Sequence, residues 1–324
     1  MILILQTGHP NYRLRSYNDF VARLPLHYSD IRVYGPQYDG TENAPAHIIP
    51  KFHPGWTIDQ VISEYIGKEP DALFIFSSTS LRHYGRSDFS RLSCPIYLLI
   101  TDAVSWDDSR LAALRMHTTK PFRAVFHNYL WKLDALKTAV PAEQYVHYPC
   151  WSSHDYDYER FPAEKDLQFL ISGVPGGAEY THRDIFAAAV DGQGFRAKFK
   201  LGERTNEAED NERFRRDLLR SQFSPHDGGI NGRLVPRYAE SCFARSVILS
   251  PDLGEEMRAA GYVNGKNCIL FDRRAAPGVE ATRMLIYATR TRFDRPELAE
   301  AAYDLARTRH CTDVRIRTFL EMAL

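Results

Sequence analysis

A chain of 324 residues is too long for one ordinary core and suits two domains of roughly 150 residues each, with a cleft between them. Hydrophobic residues make up 44% and aromatic residues 12%, enough for folded cores, and no stretch reaches the roughly 20 uninterrupted apolar residues of a membrane span. The 41 basic residues balance 41 acidic ones, which excludes a global field drawing the chain to nucleic acid or anionic lipid and leaves only local basic grooves.

The first element is a strand and its turn, Ile2–Gln6 followed by Thr7-Gly8, and not a charged leader with a long apolar stretch, so a cytoplasmic location is expected. Short apolar runs bounded by polar, Gly or Pro residues then alternate with amphipathic segments of helical length. That is the pattern of parallel strands joined by crossover helices. The spacing predicts strands at Ile2–Gln6, Asp30–Tyr34, Ala72–Ser77, Ile96–Thr101, Ala124–His127 and Tyr145–Tyr148, with helices near Tyr17–Leu24, Thr57–Gly67, Ser105–Met116 and Tyr129–Leu136. Together they make one doubly wound domain over residues 1–150. An aperiodic stretch and a charged run follow, placing a linker at 151–165. A second α/β domain is expected over 166–311. Its strands are Leu167–Ser172, Phe195–Leu201, Ser246–Ser250 and Asn267–Asp272, and its helices Tyr180–Val190, Glu209–Ser221, Val279–Thr289 and Pro296–Arg307. A terminal helix is expected at 312–324. The five cysteines are widely spaced with no Cys-x-x-Cys pair, which reads as buried reduced thiols.

In open α/β sheets ligands bind outside the carboxyl ends of the strands, so the residues after each strand are the candidates for chemistry. In the first domain these are Thr7, Gly8, His9, Ser78, Asp102, His127 and Asn128. Asp102 also suits the cap of a helix near Ser105, and His9 a turn beside Pro10. In the second domain a Gly-rich loop, Asp227-Gly228-Gly229-Ile230-Asn231-Gly232-Arg233, opens a short helix carrying Arg237 and Glu240, three apart and so on one face. Loop amides and a helix N-terminus can hold phosphate oxygens, Arg237 can pair with a diphosphate, and Glu240 can accept from a ribose diol. The same two residues could equally form a helical ion pair. His154, Asp155, Asp157, His226 and Asp227 have no metal-ligand spacing, so no metal is expected. A P-loop, a Gly-x-Ser-x-Gly elbow and a Gly-x-Gly-x-x-Gly fingerprint are absent, which argues against hydrolase, NTPase and ordinary dehydrogenase chemistries.

The run through Arg237 and Glu240 resembles the donor-binding segment of the family 1 glycosyltransferase-like domain of spore-maturation-type proteins, with its Arg-x-x-Glu on the helix before a strand. The likeness takes in Tyr148-Pro149, Gly173, Tyr180-Thr181-His182-Arg183, Asn264–Asp272 and the closing Arg309–Arg315, in the family's order. It implies a GT-B fold, two Rossmann-like domains facing across a cleft with the terminal helix 312–324 crossing back to the first, and a glycosyltransferase that moves a sugar from a nucleoside diphosphate to an acceptor hydroxyl. A base of the first domain takes the hydroxyl proton in that chemistry, with Asp102 the first candidate, since it resembles an aspartate the family carries at a strand end, and His9 the second. The resemblance assigns donor contacts to Gly173, Arg183, Arg233, Arg237, Glu240 and Lys266, with Glu240 on the ribose, and requires no cofactor besides the nucleotide-sugar substrate. Phe243 and Arg245 stand where the family has small residues. Two other functions fit the same chain: transfer to modified DNA bases, for which Arg213, Arg215, Arg216 and Arg220 could offer a basic surface, and a non-catalytic nucleotide-binding or interaction protein of the same shape. Nucleic acid is the less favoured partner, given the neutral net charge.

Overall fold

The computed structural model of the protein describes residues 1–6, 15–40, 44–76, 84, 88–100, 119–130, 133–173, 181–191, 193–201, 208–228, 233–272, 277–292 and 294–324. They divide into two compact units, Met1–Pro149 with Ile316–Leu324, and Cys150–Arg315.

The first unit is built on six strands: β1 (Ile2–Gln6), β2 (Ile31–Tyr34), β3 (Ala72–Phe76), β4 (Ile96–Ile100), β5 (Ala124–His127) and β6 (Tyr145–His147). They run parallel in the order β2-β1-β3-β4-β5-β6. Every residue of β1, β3 and β4 is buried, so these unbroken apolar runs are central strands covered on both faces. On one face Leu3, Leu5, Leu73, Ile75 and Leu98 pack with Ile58 and Val61. That helix starts where the sequence says it should, because Thr57 and Gln60 form a reciprocal capping box. It passes into a π-helical turn, Ile62–Ile66, and stops at Gly67 in the left-handed conformation, φ 75°. On the other face, Phe74 and Phe76 meet Phe20 of the helix Arg15–Arg23. Phe319 of the last helix, Thr312–Ala323, closes that side, its ring stacked on Phe74 at 4.2 Å. The Tyr97 hydroxyl donates to the Met322 carbonyl at 2.7 Å.

The second unit carries β7 (Leu167–Gly173), β8 (Ala197–Leu201), β9 (Ser221–Pro225), β10 (Val247–Pro251) and β11 (Ile269–Phe271), parallel in the order β11-β10-β9-β7-β8. Phe169, Ile171 and Leu249 face the helices Thr181–Val190 and Pro277–Arg290. Leu170 and Ile248 face Ala208–Arg220, Pro236–Phe243 and Pro296–Arg309.

The structure departs from the sequence expectations in specific places. The central strand β9 was not expected, since Phe223 is the one bulky apolar residue in Ser-Gln-Phe-Ser-Pro. Its buried serines are satisfied internally: Ser221 Oγ donates to the Leu218 carbonyl at 2.8 Å and lies 2.9 Å from Ser246 Oγ, and Ser224 Oγ accepts from Ser241 Oγ at 3.1 Å. The segment expected as a linker belongs to the second unit, with Trp151 and Tyr156 buried and the Ser152 N–H donating to the His310 carbonyl at 2.7 Å. The helix expected at Tyr129–Leu136 forms at Leu133–Ala139, and a short helix at Glu255–Ala259 was not anticipated. The helix expected at Ser105–Met116 lies outside the described residues. All five cysteines are buried and none forms a disulfide. Among the described residues no helix is long and apolar enough to cross a membrane.

Candidate functional site

The carboxyl edge of the second sheet assembles two of the sequence candidates. β7 ends on Gly173 with φ 140°, a region that L side chains rarely adopt. The preceding carbonyl, Ser172 O, accepts from Arg237 Nη1 at 2.5 Å, which fixes the arginine beside Gly173. The Arg237 guanidinium lies 5.7 Å from the centre of the Phe214 ring. Arg237 stands in the first turn of Pro236–Phe243, a helix that begins with proline and has no side-chain cap, its Tyr238 N–H donating to the Val235 carbonyl at 3.0 Å. Glu240 follows on the same face, half-buried.

Around this pair lie groups that sequence reasoning missed. The His226 ring stacks on Tyr238 at 4.5 Å, and its Nε2 lies 3.0 Å from Ser241 Oγ. The Tyr238 hydroxyl is 2.6 Å from Ser250 Oγ. Burial pushes the Tyr238 phenol far above its ordinary range, so it stays neutral. His226 and Ser250 sit at the ends of β9 and β10. Had β9 been recognised, the rule of reading the residues after each strand would have selected His226.

The other donor candidates are disposed differently. Arg233 is ion-paired with Glu256 at 2.9 Å, the carboxylate side chain only 6% exposed, which commits much of its charge to the fold. Lys266 is exposed on the turn leading into β11, at the amino end of that strand, and so is not on the carboxyl edge with Gly173 and Arg237. Arg183 lies in the first turn of Thr181–Val190. On Ala208–Arg220, the helix suggested as a basic surface, Arg213 pairs with Asp210, Arg215 with Glu212, and Arg220 with Asp166 and Asp217. Among the described residues no group of three or more His, Cys, Asp or Glu is placed to hold a metal ion.

In the first unit, His127 and Asn128 stand at the carboxyl end of β5, both buried. The Asn128 N–H donates to the Ile100 carbonyl at 3.2 Å, tying the ends of β4 and β5 together. His127 Nδ1 lies 2.9 Å from the Tyr129 carbonyl oxygen, which can only accept, so Nδ1 carries the proton and Nε2 keeps its lone pair. Burial lowers the pKa of this imidazole and keeps it neutral. At the end of β1 the Tyr38 hydroxyl donates to Gln6 Oε1 at 2.7 Å, its own pKa pushed up to about 12 by burial. Gly35 permits this junction, since a Cβ there would sit 2.0 Å from the Gln6 carbonyl oxygen. Thr7, Gly8, His9, Ser78 and Asp102 lie outside the described residues.

No family model and no curated protein matches the chain. Solved structures match it over nearly its whole length. Sucrose-phosphate synthase from Thermosynechococcus elongatus superposes with a TM-score of 0.64 at 9% identity, covering 99% of this chain and 97% of that one. HepE from Anabaena, in complex with UDP, gives 0.61 at 12% identity over 99% and 98% of the two chains. The fold is of the GT-B type. WaaG, a glycosyltransferase involved in lipopolysaccharide biosynthesis, gives 0.59 at 9% identity over 98% of each chain. At these identities the likeness to GT-B glycosyltransferases is one of architecture, two units each built on a parallel sheet.

Proposed function

We propose that the protein is a glycosyltransferase that moves a sugar from a nucleoside diphosphate to an acceptor hydroxyl without a metal. The observation that carries this reading is the correspondence of fold over 99% of the chain with GT-B proteins that include HepE solved with UDP and glucose. The position of Arg237 beside Gly173, at the carboxyl edge of its sheet, supports a donor site in the second unit.

In this mechanism Arg237 and Arg183 face the diphosphate and stabilise the charge that develops on the leaving group, aided by the positive end of the Pro236–Phe243 dipole. Glu240 accepts from the ribose hydroxyls. The acceptor hydroxyl loses its proton to a base of the first unit, Asp102 or His9, with Thr7, Gly8, Ser78, His127 and Asn128 lining the acceptor side. Within the fold, the motif order from Tyr148-Pro149 to Arg315 favours a relative of the spore-maturation-type proteins. The carboxylate partners of Arg213, Arg215 and Arg220 weigh against a nucleic-acid acceptor.

Thermal-shift titration with UDP, GDP, CDP, ADP and dTDP tests the donor site, with UDP as the first candidate. A ligand at about 100 times its Kd stabilises by ~2.7 kcal/mol. One nucleotide should raise Tm, and Glu240→Ala and Arg237→Ala should weaken its binding by roughly tenfold or more while retaining the fold. No shift with any nucleotide would favour the non-catalytic reading.

A further inference from the structure

The first unit carries an aromatic stack that the donor site does not use. β2 ends on Tyr34 at the carboxyl edge of the first sheet, and residues 47–49 run beside it in the same direction, through the parallel bridge between Val33 and Ile48. The chain then leaves that edge and turns at His53–Trp56 before the helix that starts at Ile58, which runs back toward the start of β3. The turn therefore stands where open α/β sheets bind their ligands.

The side chains there are held in one arrangement. The His53 N–H donates to the Tyr34 hydroxyl at 3.0 Å, and His53 Nε2 lies 2.8 Å from the Tyr65 hydroxyl. The Trp56 indole lies flat on the His53 ring, the centroids 3.8 Å and the planes 13° apart, and the Tyr65 ring is 6.0 Å from the indole and within 28° of parallel. Tyr65 belongs to the π-helical turn Ile62–Ile66, a widening of the helix that is frequent at functional sites. Trp56 rests against the first core yet stays partly exposed. Beside it Pro54 and Gly55 are exposed, and a Cβ on Gly55 would meet nothing within 4 Å, so the space next to the indole is open. A large aromatic surface fixed in advance at an open rim spares a ligand the cost of ordering it.

The geometry points to Trp56 as the platform on which a sugar ring of the acceptor stacks, with His53 and Tyr65 setting the angle of the indole. The C–H face of a pyranose is apolar and slightly positive, so it lies against the negative face of an indole while its hydroxyls stay at the rim. The turn His53-Pro54-Gly55-Trp56 contains no carboxylate or ammonium, which suits a neutral ring. Exposed Lys51 and Asp59 flank it in the chain, one a donor and the other an acceptor for hydroxyls. That the sugar is an acceptor rests on the glycosyltransferase reading; that a sugar stacks on Trp56 does not.

An array of immobilised neutral oligosaccharides of glucose, galactose, mannose and N-acetylglucosamine, probed with the full chain and followed by calorimetric titration of the best binder, tests the platform. One class of sugar should bind, Trp56→Ala should weaken it about tenfold or more, and Trp56→Tyr should recover most of the loss. In wild-type chain labelled with 5-fluorotryptophan, the same sugar should shift the Trp56 resonance, assigned by its loss in Trp56→Tyr, a readout that does not depend on how well the alanine variant folds. Sugar binding at Trp56 without binding of any nucleoside diphosphate would uphold the platform and remove the glycosyltransferase reading. Nucleotide binding with no oligosaccharide bound would do the reverse. Sugar binding unchanged in Trp56→Ala, or a Trp56 resonance moved by nucleotides alone, also overturns the proposal.

Discussion

Replacing Phe319 by alanine should destabilise the first unit selectively. The ring is fully buried, 0% exposed, stacked on Phe74 at 4.2 Å and within 6.2 Å of Tyr97, Phe126 and Phe20. Deleting a buried Phe side chain costs about 3–5 kcal/mol, and each aromatic pair adds ~0.5–1.5 kcal/mol beyond its area, so the upper half of the first range, about 4–5 kcal/mol, is expected. For a unit of this size each kcal/mol moves Tm by roughly 2–4 °C, which gives a shift of about 8–20 °C. Calorimetry combined with hydrogen exchange on β3, β4 and β9 reads the outcome. Protection should fall in β3 and β4 and hold in β9, while Phe319→Leu, which keeps part of the apolar volume but loses the ring contacts, should cost less than the alanine variant. A shift below about 2 °C for the alanine variant, or equal loss of protection in both sheets, would refute the assignment of the last helix to the first core.

Gly35→Ala should destabilise by about 3 kcal/mol, because its Cβ would fall 2.0 Å from the Gln6 carbonyl and push β2 from β1; urea unfolding measures it. Lys165 has a folded pKa near 7 against an ordinary 10.5, so the unfolded chain holds the proton more tightly and stability rises with pH across that window. The slope is at most ~1.4 kcal/mol per pH unit, and the rise should be missing from the same titration of Lys165→Met. His127 has a lowered pKa, so the neutral form favoured in the fold is stabilising above the ordinary 6.5 and that advantage is lost as pH falls below it. His127→Gln should therefore show a flatter acid limb of Tm against pH, and an unchanged limb would contradict the buried neutral imidazole.

The elements that could be read from the chain are those in which one physical signal dominates. β1, β3 and β4 are unbroken apolar runs, and Thr57 with Gln60 marks a helix start whatever surrounds it. β9 fails the same test because its buried positions are serines, satisfied by Leu218, Ser246 and Ser241, partners that no local pattern reveals. The stretch after Cys150 lacks period yet is held by His310, a partner remote in sequence that no local pattern reveals. At the candidate site, the Arg237 and Glu240 helix was legible, and so was the glycine that Arg237 adjoins through Ser172. Motif order says nothing about which edge of a sheet a turn occupies, so the place of Lys266 at the amino end of β11 was not legible, and the ion pairs of Arg233 and Arg245 depend on Glu256, Glu159 and Glu300, far off in the chain.

The assignment of Ile316–Leu324 to the first unit bears on the order in which the protein can mature. During synthesis from the amino end, Phe20, Phe74, Tyr97 and Phe126 leave the ribosome long before Phe319, and the whole of Cys150–Arg315 is made in between. Until the final turns emerge, the domain translated first has an aromatic wall open to water, whereas the domain translated second already has its full complement of residues. The later-made half can therefore be complete before the earlier-made one.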